Sequence, residues 1–179
     1  MSIIKIMKTI MDESSITRTL VRMTHEILEK NKGVENLVLV GIKTRGEPIA
    51  RRIAQNIKRF EGVDVLTVGF DIRYWRDDID KTGIIKPNYD LDLNHKVVVL
   101  IDDVLYKGRT VRAAMDGVMS FGRPQSIQLA VLVDRGHREL PIRADVVGKN
   151  VPTSTEESVK VSLSEVDGSD AVIILERDD

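Results

Sequence analysis

Cysteine is absent from the 179 residues, which excludes a disulfide framework, a thiol nucleophile and any thiolate-bound zinc. Aromatic side chains make up only 4% of the chain, too few for a platform on which single-stranded bases stack in series. No apolar run approaches the roughly 18 residues a membrane span requires; the longest are pieces such as Val97 to Ile101. The apolar N-terminus is broken by Lys5 and Lys8, and no small-residue cleavage site follows, so a secretory signal is not expected. Net charge is nearly absent too, at −1. The profile is that of one cytoplasmic domain, residues 1–179, long enough to bury a core.

The near-neutral total conceals a gradient. Residues 1–60 hold twelve Lys/Arg against six Asp/Glu, whereas residues 151–179 hold two against eight. Local charge, not the sum, sets the field that a partner meets. A polyanionic partner therefore stays open, beside the plainer reading of a solvated basic helix face.

Periodicity places the elements. Ile16, Leu20, Met23 and Ile27 recur at helical spacing behind Asp12, a candidate N-cap, and Gly33 is a natural stop. The near-continuous run Leu37–Ile42 reads as a strand buried on both faces. Ile49, Ile53 and Ile57 line a second helix, with Pro48 near its first turn. Further strands are expected over 63–70, 97–101 and 127–133, with a third helix over about 110–121 closed by Gly122-Arg123-Pro124. Strands alternating with helices imply right-handed β-α-β units, hence an α/β fold with an open, mainly parallel sheet flanked by helices. Residues 71–94 interrupt the alternation as a long polar segment containing Trp75, Gly83 and Pro87; segments of this kind are usually functional or mobile. Residues 159–163 and 171–175, flanking Asp167-Gly168, form an expected C-terminal β-hairpin.

Ligands of an open parallel sheet bind beyond the carboxyl ends of its strands. Three loops leave such ends with suitable groups: Lys43-Thr44-Arg45-Gly46, Asp102 to Thr110, and Asp134-Arg135-Gly136. The middle one, within VVVLIDDVLYKGRT, is the richest. Gly108 and Thr110 fall at a helix N-terminus, where backbone N–H groups and the helix dipole attract phosphate. Asp102 and Asp103, a few residues upstream, suit ribose hydroxyls or a hydrated Mg²⁺. The spacing fits a ribose 5-phosphate and matches neither GxxxxGK[ST] nor GxGxxG. On these residues alone, an acidic turn ahead of a well-capped helix is the alternative.

VLIDDVLYKGRT resembles the phosphoribosyl-pyrophosphate (PRPP) loop of type I phosphoribosyltransferases. GIKTRGEPIARRIA, the 97–124 block and SIQLAVLVDRGHRELPIRADVVGKNVPTS together resemble the pyrimidine-operon attenuation regulators (PyrR), which double as uracil phosphoribosyltransferases. The resemblance spans roughly residues 11–175. It implies the type I fold with a small hood, and conversion of uracil and PRPP to UMP and pyrophosphate with Mg²⁺ and no organic cofactor. Asp102 and Asp103 would bind the ribose hydroxyls and help place the metal. Val104, Leu105, Tyr106, Lys107, Gly108, Arg109 and Thr110 would form the PRPP- and nucleotide-binding loop. Thr44 and Arg45 would meet the pyrophosphate, Arg76 would close over the reacting centre on a loop, and Arg135 would help frame the base pocket. Tyr106 stands where similar hypoxanthine-guanine enzymes carry a third acidic residue against the purine, which disfavours a purine. Lys107 stands where the family usually has a small hydroxyl, most often Thr; weakened catalysis with nucleotide binding partly retained is the expectation there.

The same resemblance implies an RNA partner. With UMP bound, a hairpin in the leader of a pyrimidine-biosynthesis transcript is gripped and termination promoted; UTP is the other candidate effector. Candidate contacts are Arg18, Arg22, His25 and Lys30 on the first helix, and His137, Arg138, Arg143 and Lys149 after the fourth strand. His137-Arg138 closing a plain turn is the alternative. Relatives assemble as dimers or larger, so a homo-oligomer is expected. Two other readings remain: an RNA-binding nucleotide sensor with weak or lost transfer, and a salvage phosphoribosyltransferase without an RNA role.

Overall fold

The longest apolar runs become the inner strands of a parallel sheet. A computed structural model describes residues 4–177. In chain order the elements are β1 (Ile4–Met11), α1 (Glu13–Asn31), β2 (Leu37–Ile42), α2 (Gly46–Glu61), β3 (Leu66–Phe70), β4 (Val97–Leu105), α3 (Arg109–Met119), β5 (Ser126–Asp134), β6 (Val146–Asn150), β7 (Glu157–Ser162), α4 (Ser164–Asp167) and β8 (Ala171–Arg177). Five strands form one parallel sheet in the order β3-β2-β4-β5-β6. β2 is buried at every position because helices cover both faces. Alternate residues serve opposite layers, as the two-residue repeat of a strand requires. Leu39, Val99, Ile101 and Leu132 pack with the apolar stripes of α1 and α2, while Val38, Val40, Leu100 and Val131 pack with α3.

The helix ends follow their local chemistry. Asp12 caps α1, its Oδ1 accepting the Ser15 N–H at 2.8 Å. Lys32, with φ of 52°, turns the chain out of that helix ahead of Gly33.

Three features depart from the sequence expectation. β1 and β6 are additional strands, and β1 joins the C-terminal hairpin to make a three-stranded antiparallel hood, β1-β8-β7. β3 begins at Leu66 rather than 63. β4 runs on to Leu105, so Asp102 and Asp103 are strand residues and not part of a departing turn. Pairing with β5 carries this extension: Asp102 lies opposite Val131 and Leu105 opposite Asp134.

The polar segment 71–94 is pinned at both ends by aromatics. Trp75, in a short 3₁₀ turn, stacks on Phe70 with ring centroids 5.9 Å apart, and Tyr89 stacks on the same ring at 4.8 Å. Phe121 closes the cluster edge-on to Phe70 at 5.6 Å. The Tyr89 hydroxyl also accepts the Asp71 N–H at 2.9 Å. These contacts hold the segment against the carboxyl end of β3.

Candidate active site

Three chain segments converge at the carboxyl ends of β2, β3 and β4. The loop after β2 contains a cis peptide between Lys43 and Thr44, and the Lys43 N–H donates to the Phe70 carbonyl at 3.0 Å. α2 begins immediately afterwards. An added Cβ at Gly46 would lie 2.3 Å from the Ile101 carbonyl oxygen and 3.2 Å from the Asp102 Cα. Only glycine lets the start of α2 press this closely on β4, which sets Thr44 and Arg45 beside the acidic pair.

That pair sits at the end of the central strand. Asp102 is buried and Asp103 half-buried. Asp102 Oδ1 accepts the Asp103 N–H, and Asp103 Oδ1 accepts the Val104 N–H, each at 2.8 Å. Burial, then the adjacent Asp103 charge, pushes the Asp102 carboxyl well above the ordinary carboxylate range. A cation or a donor placed there would favour the charged form.

Gly108, with φ of 92°, caps α3 without a side-chain hydrogen bond. The first N–H groups of α3 thus keep their capacity for an anion. Above them, Arg76 donates through Nη1 to Thr110 Oγ1 at 2.8 Å and through Nε and Nη2 to the Asp78 carboxylate at 2.7 and 2.6 Å. The enclosed space is a cavity of about 540 Å³ lined by Thr44, Arg45, Arg76, Asp102, Asp103 and Thr110 among others. A side pocket of about 140 Å³ continues along Lys107 to Val111. Catalytic and loop candidates from three distant parts of the sequence therefore share one space.

Lys107, which lines the side pocket, is engaged by its neighbours. Its Nζ lies 3.3 Å from Glu139 Oε1 and 5.5 Å above the Tyr106 ring centroid. Glu139 also pairs with Arg109 at 3.3 Å, and its N–H donates to the Lys107 carbonyl at 2.9 Å. The 136–142 segment is thus fastened over the loop from outside.

Arg135 is buried and turned toward the hood. Its Nη2 donates to the Glu157 carbonyl at 2.5 Å, its Nε to Thr153 Oγ1 at 3.2 Å, and its guanidinium carbon lies 3.9 Å from the Tyr106 ring centroid. It reaches the ligand space through Tyr106, which lines the side pocket.

The RNA candidates divide. Arg22 donates to Glu26 at 2.8 Å and to the Val147 and Gly148 carbonyls, and Lys30 lies 3.7 Å from Asp145, so α1 is laid along the β6 edge. Arg18 and Lys149 are exposed on these two elements, and Arg143 is exposed just before Asp145. His25 stacks on Phe60 at 4.5 Å, on the α2 side. His137 contacts the Thr153 carbonyl at 2.5 Å and Tyr106 edge-on at 6.1 Å, and Arg138 follows it, exposed.

Sequence reasoning missed Asp71, Arg73 and Asp78. Asp71 and Arg73 line the larger cavity and pair with one another at 2.6 Å. Asp71 lies one residue beyond a strand end, and that position was the available signal. A larger groove, about 780 Å³, lies between α2 and the hood. Its Arg51 and Arg52 are paired with Glu47, Glu165 and Asp170; the acidic-pair cavity, at the carboxyl ends of the parallel strands, is the candidate site. Among the described residues, no helix is long and apolar enough to cross a membrane.

Comparison with known proteins agrees with this architecture. Residues 8–174 match the phosphoribosyl transferase domain. The bifunctional protein PyrR of Clostridioides difficile is 61% identical over 93% of this chain and 97% of its own length. That of Oceanobacillus iheyensis is 59% identical over 94% and 97%. A crystal structure of a hypoxanthine-guanine phosphoribosyltransferase from Bacillus anthracis superposes with a TM-score of 0.72, at 17% identity, over 97% of this chain and 99% of that one.

Proposed function

Since this chain belongs to the phosphoribosyl transferase domain family, among the bifunctional PyrR proteins, we propose that it converts uracil and PRPP to UMP and pyrophosphate. The observation that carries the reading is the single cavity holding Thr44, Arg45, Arg76, Asp102, Asp103 and Thr110. A 5-phosphate seated on the α3 N-terminus puts the ribose over the acidic pair and the diphosphate toward the β2–α2 loop. Displacement at the anomeric carbon then passes through an oxocarbenium-like state, and positioning and charge supply the catalysis. Asp102 and Asp103 accept hydrogen bonds from the ribose hydroxyls and stabilise positive charge growing on the ring. The first N–H groups of α3 and Thr110 hold the 5-phosphate. Arg76, already tied to Thr110, lies over the same centre and helps exclude water.

The acidic pair also fits Mg²⁺, a hard cation that prefers oxygen ligands. Among the described residues no group of three His, Cys, Asp or Glu side chains could hold a metal by itself. Two carboxylates leave the other positions to PRPP oxygens and water. Asp102 and Asp103 would hold such an ion, which would supply neutralisation of charge on the pyrophosphate leaving group.

Steady-state UMP formation from uracil, PRPP and Mg²⁺ tests the reading, and absence of UMP defeats it. The same assay weighs Lys107. A threonine hydroxyl at this position can donate to the 5-phosphate, whereas the Lys107 ammonium is directed to Glu139. Lys107→Thr is expected to raise kcat/KM about tenfold, the worth of one added charge-assisted hydrogen bond. Equal values would show that the loop amides suffice.

The regulatory half of the reading is binding of a leader RNA hairpin with UMP bound. Its support is the meeting of α1 with the β6 edge, which sets Arg18 and Lys149 on neighbouring elements. Hairpin binding in a gel shift is expected to strengthen with UMP and to weaken at least tenfold between about 50 and 200 mM salt, as phosphate contacts release counterions. Affinity indifferent to both would leave a salvage enzyme.

A further inference from the structure

The hood puts a carboxylate on the loop assigned to pyrophosphate. Arg45 donates from Nε to Asp167 Oδ2 at 3.1 Å and from Nη2 to Asp167 Oδ1 at 2.8 Å. This is the side-on fork with which a guanidinium grips two oxygens of either a carboxylate or a phosphate. The pair is partly shielded, with the Arg45 side chain 32% and the Asp167 side chain 19% exposed. Arg45 holds the Asp167 carboxyl below the ordinary range, with help from the Leu163 N–H. Asp167 is therefore charged at neutral pH.

Asp167 has a second duty that makes its release local. Its Oδ2 accepts the Leu163 N–H at 2.9 Å, closing the turn at the foot of α4. The same turn has a separate anchor on α2. Arg52 binds Asp170 at 2.7 Å and also holds Glu165 and Ser164 Oγ. The hood stays attached through Arg52 if Arg45 lets go.

We propose that Asp167 is a placeholder for pyrophosphate: in the free protein it occupies the bidentate edge of Arg45, and the diphosphate of PRPP, or free pyrophosphate, takes that edge from it. Two anions cannot use the same pair of N–H groups, so binding is an exchange. Asp167 acts through Arg45 and is a positioning residue, touching no substrate atom. The exchange lowers affinity for the diphosphate and so assists departure of the product. The inference rests on reading Thr44 and Arg45 as the pyrophosphate loop.

Asp167→Asn keeps the size of the side chain and an acceptor for the Leu163 N–H while removing the charge. Calorimetric titration with magnesium pyrophosphate is expected to give a Kd tighter by about two- to fivefold, the scale of a partly shielded ion pair. Asp167→Glu, which restores the charge, is expected to bind as the unmodified chain does. In an Arg45→Gln background, Asp167→Asn is expected to change nothing. Weaker or unchanged binding by Asp167→Asn, or tightening that persists without Arg45, would overturn the proposal. If pyrophosphate binds the unmodified chain with an affinity that Arg45→Gln leaves untouched, the loop assignment itself fails. Should Asp167→Asn not fold, the Leu163 amide resonance of the unmodified chain decides. It is expected to shift when pyrophosphate is added, and a stationary signal counts against the exchange.

Discussion

Asp102→Asn is expected to lower kcat/KM for UMP formation by about 10²–10³-fold while raising the Tm at neutral pH. Asp102 is 7% exposed beside a second carboxylate. Burial, then the Asp103 charge, raises its proton affinity in the folded state. The folded chain therefore holds this proton when the unfolded chain, near its ordinary value of 3.8, has begun to lose it. Between that value and the raised one, stability falls as pH rises, by at most about 1.4 kcal/mol per pH unit. Asparagine does not titrate, keeps an acceptor for the Asp103 N–H and escapes the loss. Calorimetric melts at about pH 4 and about pH 7.5 should show a small gain at the first and a larger one at the second. A difference in Tm independent of pH would mean that the carboxyl carries no such cost. Both outcomes together would mark Asp102 as a trade of stability for activity.

Gly46→Ala is expected to be strongly damaging for a single methyl addition. The new Cβ, fixed on the Cα, would meet the backbone carbonyl oxygen of Ile101 at 2.3 Å, so neither atom can turn aside. Overpacking of this kind costs about 3 kcal/mol, which for a chain of this size lowers Tm by roughly 6–12 °C. Relief requires α2 to back away from β4, carrying Thr44 and Arg45 off the acidic pair, so PRPP affinity should fall with stability. Gly62→Ala is the control. Gly62 has φ of 71° with nothing within 4 Å of an added Cβ, so its cost is conformational only, about 1 kcal/mol. Equal losses in the two variants would show that close approach is not what position 46 requires.

The inner strands and the main helices were legible because burial on both faces leaves a dense apolar signature. Leu37–Ile42 has no polar position, and α1 repeats its apolar stripe for the whole helix. β1 and β6 escaped because they are edge strands with exposed residues. Ile4 and Ile6 stand 60% and 64% exposed on β1. β1 also finds its partner, β8, at the opposite end of the chain, and its register shifts twice along the pairing. The acidic pair and the glycine turn ahead of α3 were visible in the sequence, although β4 extends through the pair to Leu105. Asp167 was not readable. As a residue of a turn it carries no sign of the arginine it meets, which lies 122 positions away. The outward course of Lys107 depends in the same way on Glu139, supplied by a different loop.

The aromatic cluster under the 71–94 segment gives the protein its own optical reporter. Trp75 is the only tryptophan in the chain, adjoins Arg76 in sequence and stacks on Phe70 at 5.9 Å. Emission excited at the indole band therefore arises from one place, at the start of the segment that carries Arg76 along the acidic-pair cavity. Any rearrangement of that segment on ligand entry alters the environment of a single fluorophore, with no label introduced and no second tryptophan to dilute the signal.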